Sequence, residues 1–138
     1  FKTKVSKVNY LAIFVCAILS FVIGMFWYSP VLFGDAWRKH VGLTSKDFKK
    51  AKKGLMKSMI IGFSSGLIMM FVLSYFIDMF VTTSFAAGSI IGIITWAGFL
   101  ATSMTGIVSW ENKPWELYFI NTGYYLVVLA VTGGILAV

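Results

Sequence analysis

The sequence predicts an all-α membrane protein: four transmembrane helices in an antiparallel bundle, with a short interfacial helix and a basic segment between helices one and two. Three observations lead there. Of 138 residues, 59% are hydrophobic and only 12% charged, about half of the roughly one quarter that a soluble domain uses to cover its surface. Four apolar segments are each long enough to cross a hydrocarbon core of about 30 Å, which takes about 20 helical residues. Both prolines, Pro30 and Pro114, fall between those segments, which suits lipid, where the backbone must satisfy its own hydrogen bonds. Four unbroken helices in a single transmembrane domain, 1–138, are therefore expected. The runs are continuous and do not alternate, which excludes a β-barrel.

The first span, about 8–28, carries no charge. Lys2, Lys4 and Lys7 precede it as they would in a signal peptide, but the run is longer than a typical h-region. Bulky Phe26, Trp27 and Tyr28 also stand where small residues should precede cleavage. A retained helix is expected, in a chain that begins at Phe1 for want of its initiator residue. The connection 29–54 is too long for a structureless loop. Within it, Leu32, Phe33, Ala36, Trp37 and Val41 recur near helical spacing, which predicts a short helix lying in the interface. Thr44 followed three residues later by Asp47 resembles a capping box, so a basic helix is expected to lead into the second span. That span, about 55–80, has Lys57 at its start and Asp78 near its end. The third, about 85–108, is uncharged, and the fourth, about 115–138, has Glu116 at its mouth. Short connections make spans two and three, and spans three and four, antiparallel neighbours.

Charge is segregated. Twelve Lys and Arg against five Asp and Glu give a net +7, and the excess flanks apolar spans, so anionic lipid headgroups rather than nucleic acid are the expected counter-charge. The first and third connections share one side of the membrane and carry Arg38, Lys39, Lys46, Lys49, Lys50, Lys52, Lys53, Lys57 and Lys113. The other side has Lys2, Lys4 and Lys7. The positive-inside rule then places the basic connection in the cytoplasm and both termini outward, most naturally in a bacterial inner membrane. Trp27, Tyr28, Phe33, Trp37, Trp110 and Trp115 gather on the inferred inner side as interfacial anchors.

Catalytic signals are missing. Lone His40 has no second ligand, Cys16 lies in an apolar run, and no paired carboxylate, nucleophile–base pair or phosphate loop is visible. No cofactor, no metal and no enzymatic activity are expected. Asp78 is an ionisable group in a span and so a default functional candidate, although a place near the helix end fits it better. Gly62-x-x-x-Gly66, Gly88-x-x-x-Gly92, Gly98-x-x-x-Thr102-x-x-x-Gly106 and Ala130-x-x-x-Gly134 repeat at the spacing that lets helices approach closely. Thr95, Trp96, Thr102, Asn121 and Tyr124 could line a small polar pocket between spans three and four, or glue those helices together. Antiparallel pairing would set Asn121 level with Thr102 or Ser103 and Tyr124 nearer Trp96.

With those residues assembled, Asn9-Tyr10-Leu11-Ala12, Gly24-x-x-Trp27-Tyr28-Ser29-Pro30-x-x-Phe33-Gly34-x-x-Trp37, Trp96-x-Gly98-Phe99 and Asn121-x-Gly123-Tyr124 resemble a family of small bacterial and fungal membrane proteins catalogued as domain of unknown function 1761. The likeness covers nearly the whole chain and implies a four-helix membrane protein, with no catalytic residues to carry over. The lysine-rich stretch before span two stands outside it. Two functions are expected to compete. One is an accessory or structural subunit of a larger membrane complex with anionic-lipid contacts through the basic loop. The other is a homo-oligomeric transporter or channel lined by helices three and four.

Overall fold

The computed structural model describes residues 9–42 and 45–138, the side chains of Ser45, Phe48, Ala51 and Lys52 excepted. Lys2, Lys4, Lys7 and the Thr44 half of the expected capping box lie outside the described residues. Helix α1 (Tyr10–Trp27) starts at Asn9, whose side-chain oxygen accepts from the Ala12 N–H at 3.1 Å and so satisfies one of the first-turn donors. After a turn come α2 (Gly34–Val41), α3 (Ser45–Lys53) and α4 (Leu55–Met79). The third span, Phe85–Ser109, comprises α5 (Phe85–Thr95), a π-helical turn (Trp96–Leu100), α6 (Ala101–Ser103) and α7 (Gly106–Ser109); α8 (Trp115–Ala137) closes the chain. Among the described residues, four helices are long and apolar enough to cross a membrane: Tyr10–Trp27, Leu55–Met79, Phe85–Ser109 and Trp115–Ala137.

The expectation of four unbroken helices holds for three of them. The third passes through the π turn and breaks again at Met104–Thr105. Its own side chains supply the reason. Thr95 donates to the Ile91 carbonyl and Thr102 to the Gly98 carbonyl, each at 2.8 Å, and Ser103 donates to the Phe99 carbonyl. Hydroxyls that bond back to their own helix bend it, and a π turn accommodates the extra residue.

Helix α8 is the axis of the bundle, touching α1, α2, α4 and α5. Its contact with α5 is backbone on backbone. A Cβ on Gly88 would lie 2.2 Å from the Gly133 carbonyl oxygen, and one on Gly92 would lie 2.0 Å from that of Leu129. Ser89 adds a hydrogen bond to the Ala130 carbonyl at 2.8 Å. The buried core, Ile13, Cys16 and Ala17 of α1, Met70, Leu73 and Ile77 of α4, and Val128 and Leu129 of α8, lies towards one end. That terminal end holds Tyr10, Ala137 and the α4–α5 connection. There Val81, at φ 49°, donates to the Asp78 carbonyl at 3.0 Å, and Thr82 donates to that of Ile77 at 3.3 Å. Val81 thus fills a helix-closing position that usually falls to glycine. At the opposite, basic end, every residue from Leu55 to Gly62 is exposed, so the start of α4 stands away from its neighbours.

Candidate functional site

The basic end is built around the corner where α1 stops. Proline at 30 disfavours helical geometry at Ser29, and the chain folds back on itself. Ser29 Oγ donates to the Phe26 carbonyl at 2.6 Å, Phe33 N–H to that of Trp27 at 3.0 Å, and Gly34 N–H to that of Ser29 at 2.9 Å. A side chain at position 34 would meet the Tyr28 carbonyl at 2.5 Å, so this approach needs glycine.

The corner is clasped to α8. The Trp27 indole Nε1 donates to the Ile120 carbonyl and the Tyr28 hydroxyl to Asn121 Oδ1, both at 2.9 Å. A Cβ on Gly123 would sit 3.2 Å from the Trp27 ring, which places that glycine under the indole. Tyr28 also meets Trp37 edge-on at 5.7 Å and Tyr124 at 5.6 Å, and Trp27 meets Phe33 at 4.7 Å. One further turn along, the Tyr124 hydroxyl donates to the Ser20 carbonyl at 2.8 Å. Lys113 donates from Nζ to the Val41 carbonyl at 3.4 Å, a cation set at the C-terminal end of α2 where the helix dipole favours it.

Above the corner lies a groove of about 650 Å³ between α1, α4 and α8. Ser20, Phe21, Gly24, Met25 and Tyr28 form one wall, Leu55, Met59, Gly62, Phe63, Ser65, Gly66 and Met69 the other, with Tyr124, Tyr125 and Val128 on α8. It exists because the start of α4 diverges from α1, and it falls in the size range of small-molecule sites, roughly 300–1,000 Å³.

The sequence-predicted residues distribute unevenly over this frame. Thr95, Trp96, Thr102, Asn121 and Tyr124 do not come together. Thr95 and Thr102 bond to their own helix, Trp96 Nε1 donates to the Thr122 carbonyl at 2.7 Å, and Asn121 and Tyr124 turn to α1. The expected register was also about one turn off. The Tyr118 hydroxyl donates to the Ala101 carbonyl at 2.5 Å, so Thr102 and Ser103 lie near the level of the start of α8 rather than of Asn121. Of the glycines, Gly88, Gly92 and Gly134 pack against the facing helix, and a Cβ on Gly66 would meet Ser20 Oγ at 3.5 Å. Gly62 and Gly98 face open space, and Gly106 has only Trp110 of its own segment nearby. Arg38, Lys39, Lys46, Lys49, Lys50, Lys53 and Lys57 are exposed, while the Lys52 side chain lies outside the described residues. Trp27, Tyr28 and Trp37 are half-buried in the corner, whereas Trp110 is 87% and Trp115 53% exposed. Asp78 is exposed in the last turn of α4 and His40 is half-buried. No group of three His, Cys, Asp or Glu that could hold a metal occurs among the described residues.

Sequence reasoning missed three contacts. Gly133 faces Gly88 directly, and its signal was available in the pair Gly133-Gly134. The Tyr118 bond to α6 and the Lys113 bond to α2 left no local pattern. The groove left none either.

The fingerprint residues converge on this architecture. Asn9 caps α1, Gly24, Trp27, Tyr28, Phe33, Gly34 and Trp37 build the corner, and Asn121, Gly123 and Tyr124 receive it on α8. Gly98 and Phe99 stand apart, both exposed on the third span. No curated protein and no solved structure matches the chain. The family model described as protein of unknown function (DUF1761) matches residues 11–137, and the chain belongs to that family.

Proposed function

We propose that this protein is a non-catalytic integral membrane protein that serves as an accessory or structural subunit beside a larger membrane complex, with its α2–α3 segment resting on an anionic leaflet. The observation that carries the proposal is the display of cations at the basic end. Among the described residues, exposed Arg38, Lys39, Lys46, Lys49, Lys50, Lys53 and Lys57 crowd the α2–α3 segment and the start of α4, and the corner and the Lys113 bond hold α2 to the bundle. Each cation near an anionic surface contributes about 1 kcal/mol. In this arrangement the basic side is cytoplasmic, both termini face outward across a bacterial inner membrane, and nucleic acid is not a partner.

The non-catalytic part draws support from the acids. Asp35, Asp47, Asp78, Glu111 and Glu116 are all exposed, and none lines the groove between α1, α4 and α8. The partner surface is the third span, only 11% buried over its most apolar stretch, where Ile90, Ile94 and Phe99 face outward. In the alternative reading, a homo-oligomeric transporter or channel lined by helices three and four, the path would run between chains, because α5 and α8 of one chain meet through their backbones.

The test is twofold. Thermal unfolding of the detergent-solubilised chain with added anionic or zwitterionic phospholipid should show stabilisation that grows with headgroup charge, falls with salt and is lost when the α2–α3 lysines are changed to Gln. Cross-linking from position 94 or 99 in native membranes should recover a defined heterologous membrane protein. Equal stabilisation by neutral and anionic lipid, together with cross-links to lipid alone, would remove the proposal.

A further inference from the structure

The groove between α1, α4 and α8 is bordered by the Tyr28 and Tyr124 bonds and stays open between them, and its chemistry is specific. We propose that it seats one acyl chain of a membrane glycerolipid, with the lipid head at the basic end and the Tyr125 hydroxyl donating to a carbonyl oxygen of the lipid ester. Residence of the tail rests on the groove alone; a preference for an anionic head rests on the basic-surface reading given above.

Three observations carry it. First, Tyr125 is singular among the hydroxyls of the last two spans. Ser89, Thr95, Thr102, Ser103, Thr105, Ser109, Tyr118, Thr122, Tyr124 and Thr132 each donate to a backbone carbonyl. Among the described residues Tyr125 donates no hydrogen bond: its ring meets that of Tyr124 at 4.9 Å, its hydroxyl lies close enough to those of Tyr28 and Tyr124 to interact electrostatically, and its oxygen is not among buried atoms. A hydroxyl left unpaired in hydrocarbon is costly, and a lipid ester supplies the missing acceptor. Second, the walls are apolar and compliant: Met25, Met59 and Met69 line them, and thioether side chains reshape around an irregular chain. Third, the groove runs from the middle of the bundle to Leu55 at its mouth, where Lys53 and Lys57 flank the α3–α4 junction. An apolar wall and a hydrogen-bond donor for one lipid molecule thus share the groove, and cations flank its mouth.

Native mass spectrometry on the intact chain, extracted from membranes containing both zwitterionic and anionic phospholipids, tests this directly. One retained phospholipid per chain is expected, predominantly anionic. Gly62→Phe places a ring in open space on the groove wall, where no neighbour lies within 4 Å, and should cut the retained fraction at least tenfold. Gly62→Ala, as the folding control, should retain it. Tyr125→Phe should lower retention several-fold while leaving the melting temperature unchanged. Absence of any retained lipid in the unaltered chain, or retention undiminished by Gly62→Phe in a folded protein, would overturn the proposal. Retention that Gly62→Phe abolishes but that shows no anionic preference supports the groove and overturns the basic-surface reading instead.

Discussion

The two ends of the bundle are built on different terms. At the terminal end, α5 and α8 touch through glycine, and Ile13, Cys16, Ala17, Met70, Leu73, Ile77, Val128 and Leu129 fill the space between α1, α4 and α8. Contact there is dispersion over short distances, the force that remains when lipid tails are as apolar as the helices themselves. At the basic end the same α1, α4 and α8 separate around a groove, and the joint is made by directed bonds from Trp27, Tyr28 and Tyr124 to α8 and to α1. Stability and available space are thus assigned to different halves. The closed half tolerates no added atom, whereas the open half is held at a few points and keeps room between them.

The sharpest way to break the contrast is to add volume at the closed end. Gly92→Leu drives a side chain into the Leu129 carbonyl, and overpacking of this kind should cost about 3 kcal/mol. Loss of a cooperative thermal transition in mild detergent would register it. Next in size is the removal of one bond from the open end. Tyr124→Phe should cost about 1 kcal/mol, within the range for hydrogen bonds between membrane helices, measured as a lower SDS fraction at the unfolding midpoint. Gly62→Ala should act with the opposite sign: with open space around it, the gain in helix propensity is about 0.8 kcal/mol. A midpoint moving down instead would mean that the start of α4 packs against a neighbour. Smallest is Lys113→Gln, which removes the cation from the end of α2 at about 0.5 kcal/mol. Its readout is faster amide exchange in residues 38–42, with the transmembrane core unchanged.

The sequence revealed the closed half better than the open one. Apolar run length set the four spans to within two residues of those observed, because length against hydrocarbon thickness is a one-dimensional property. Gly88 and Gly92 were legible for a related reason, since spacing on one helix is enough when the facing helix is adjacent in the chain. Gly62 and Gly98 have the same kind of spacing and meet nothing, because spacing does not say whether a neighbour is present. The misjudged level of Asn121 has a physical origin in the breaks after Thr95, which alter the rise of the third span. Pro30, Trp27 and Tyr28 read as the end of the first helix, which they are, but not as a clasp. The partners, Ile120 and Asn121, lie 93 residues away, and nothing local announces them. The groove depends on how α4 diverges from α1, which no pattern in either helix encodes.

The π turn at Trp96–Leu100 has a consequence for anything that lies along the third span. Each residue of a regular helix advances by about 100° around the axis, and a π turn inserts one residue into that count. The row Gly88, Gly92 and the row Gly98, Thr102, Gly106 are therefore out of phase: the former faces α8 and the latter does not. A straight neighbouring helix can follow one of these rows but not both in succession. It must end near Trp96, bend there, or cross the span at that level.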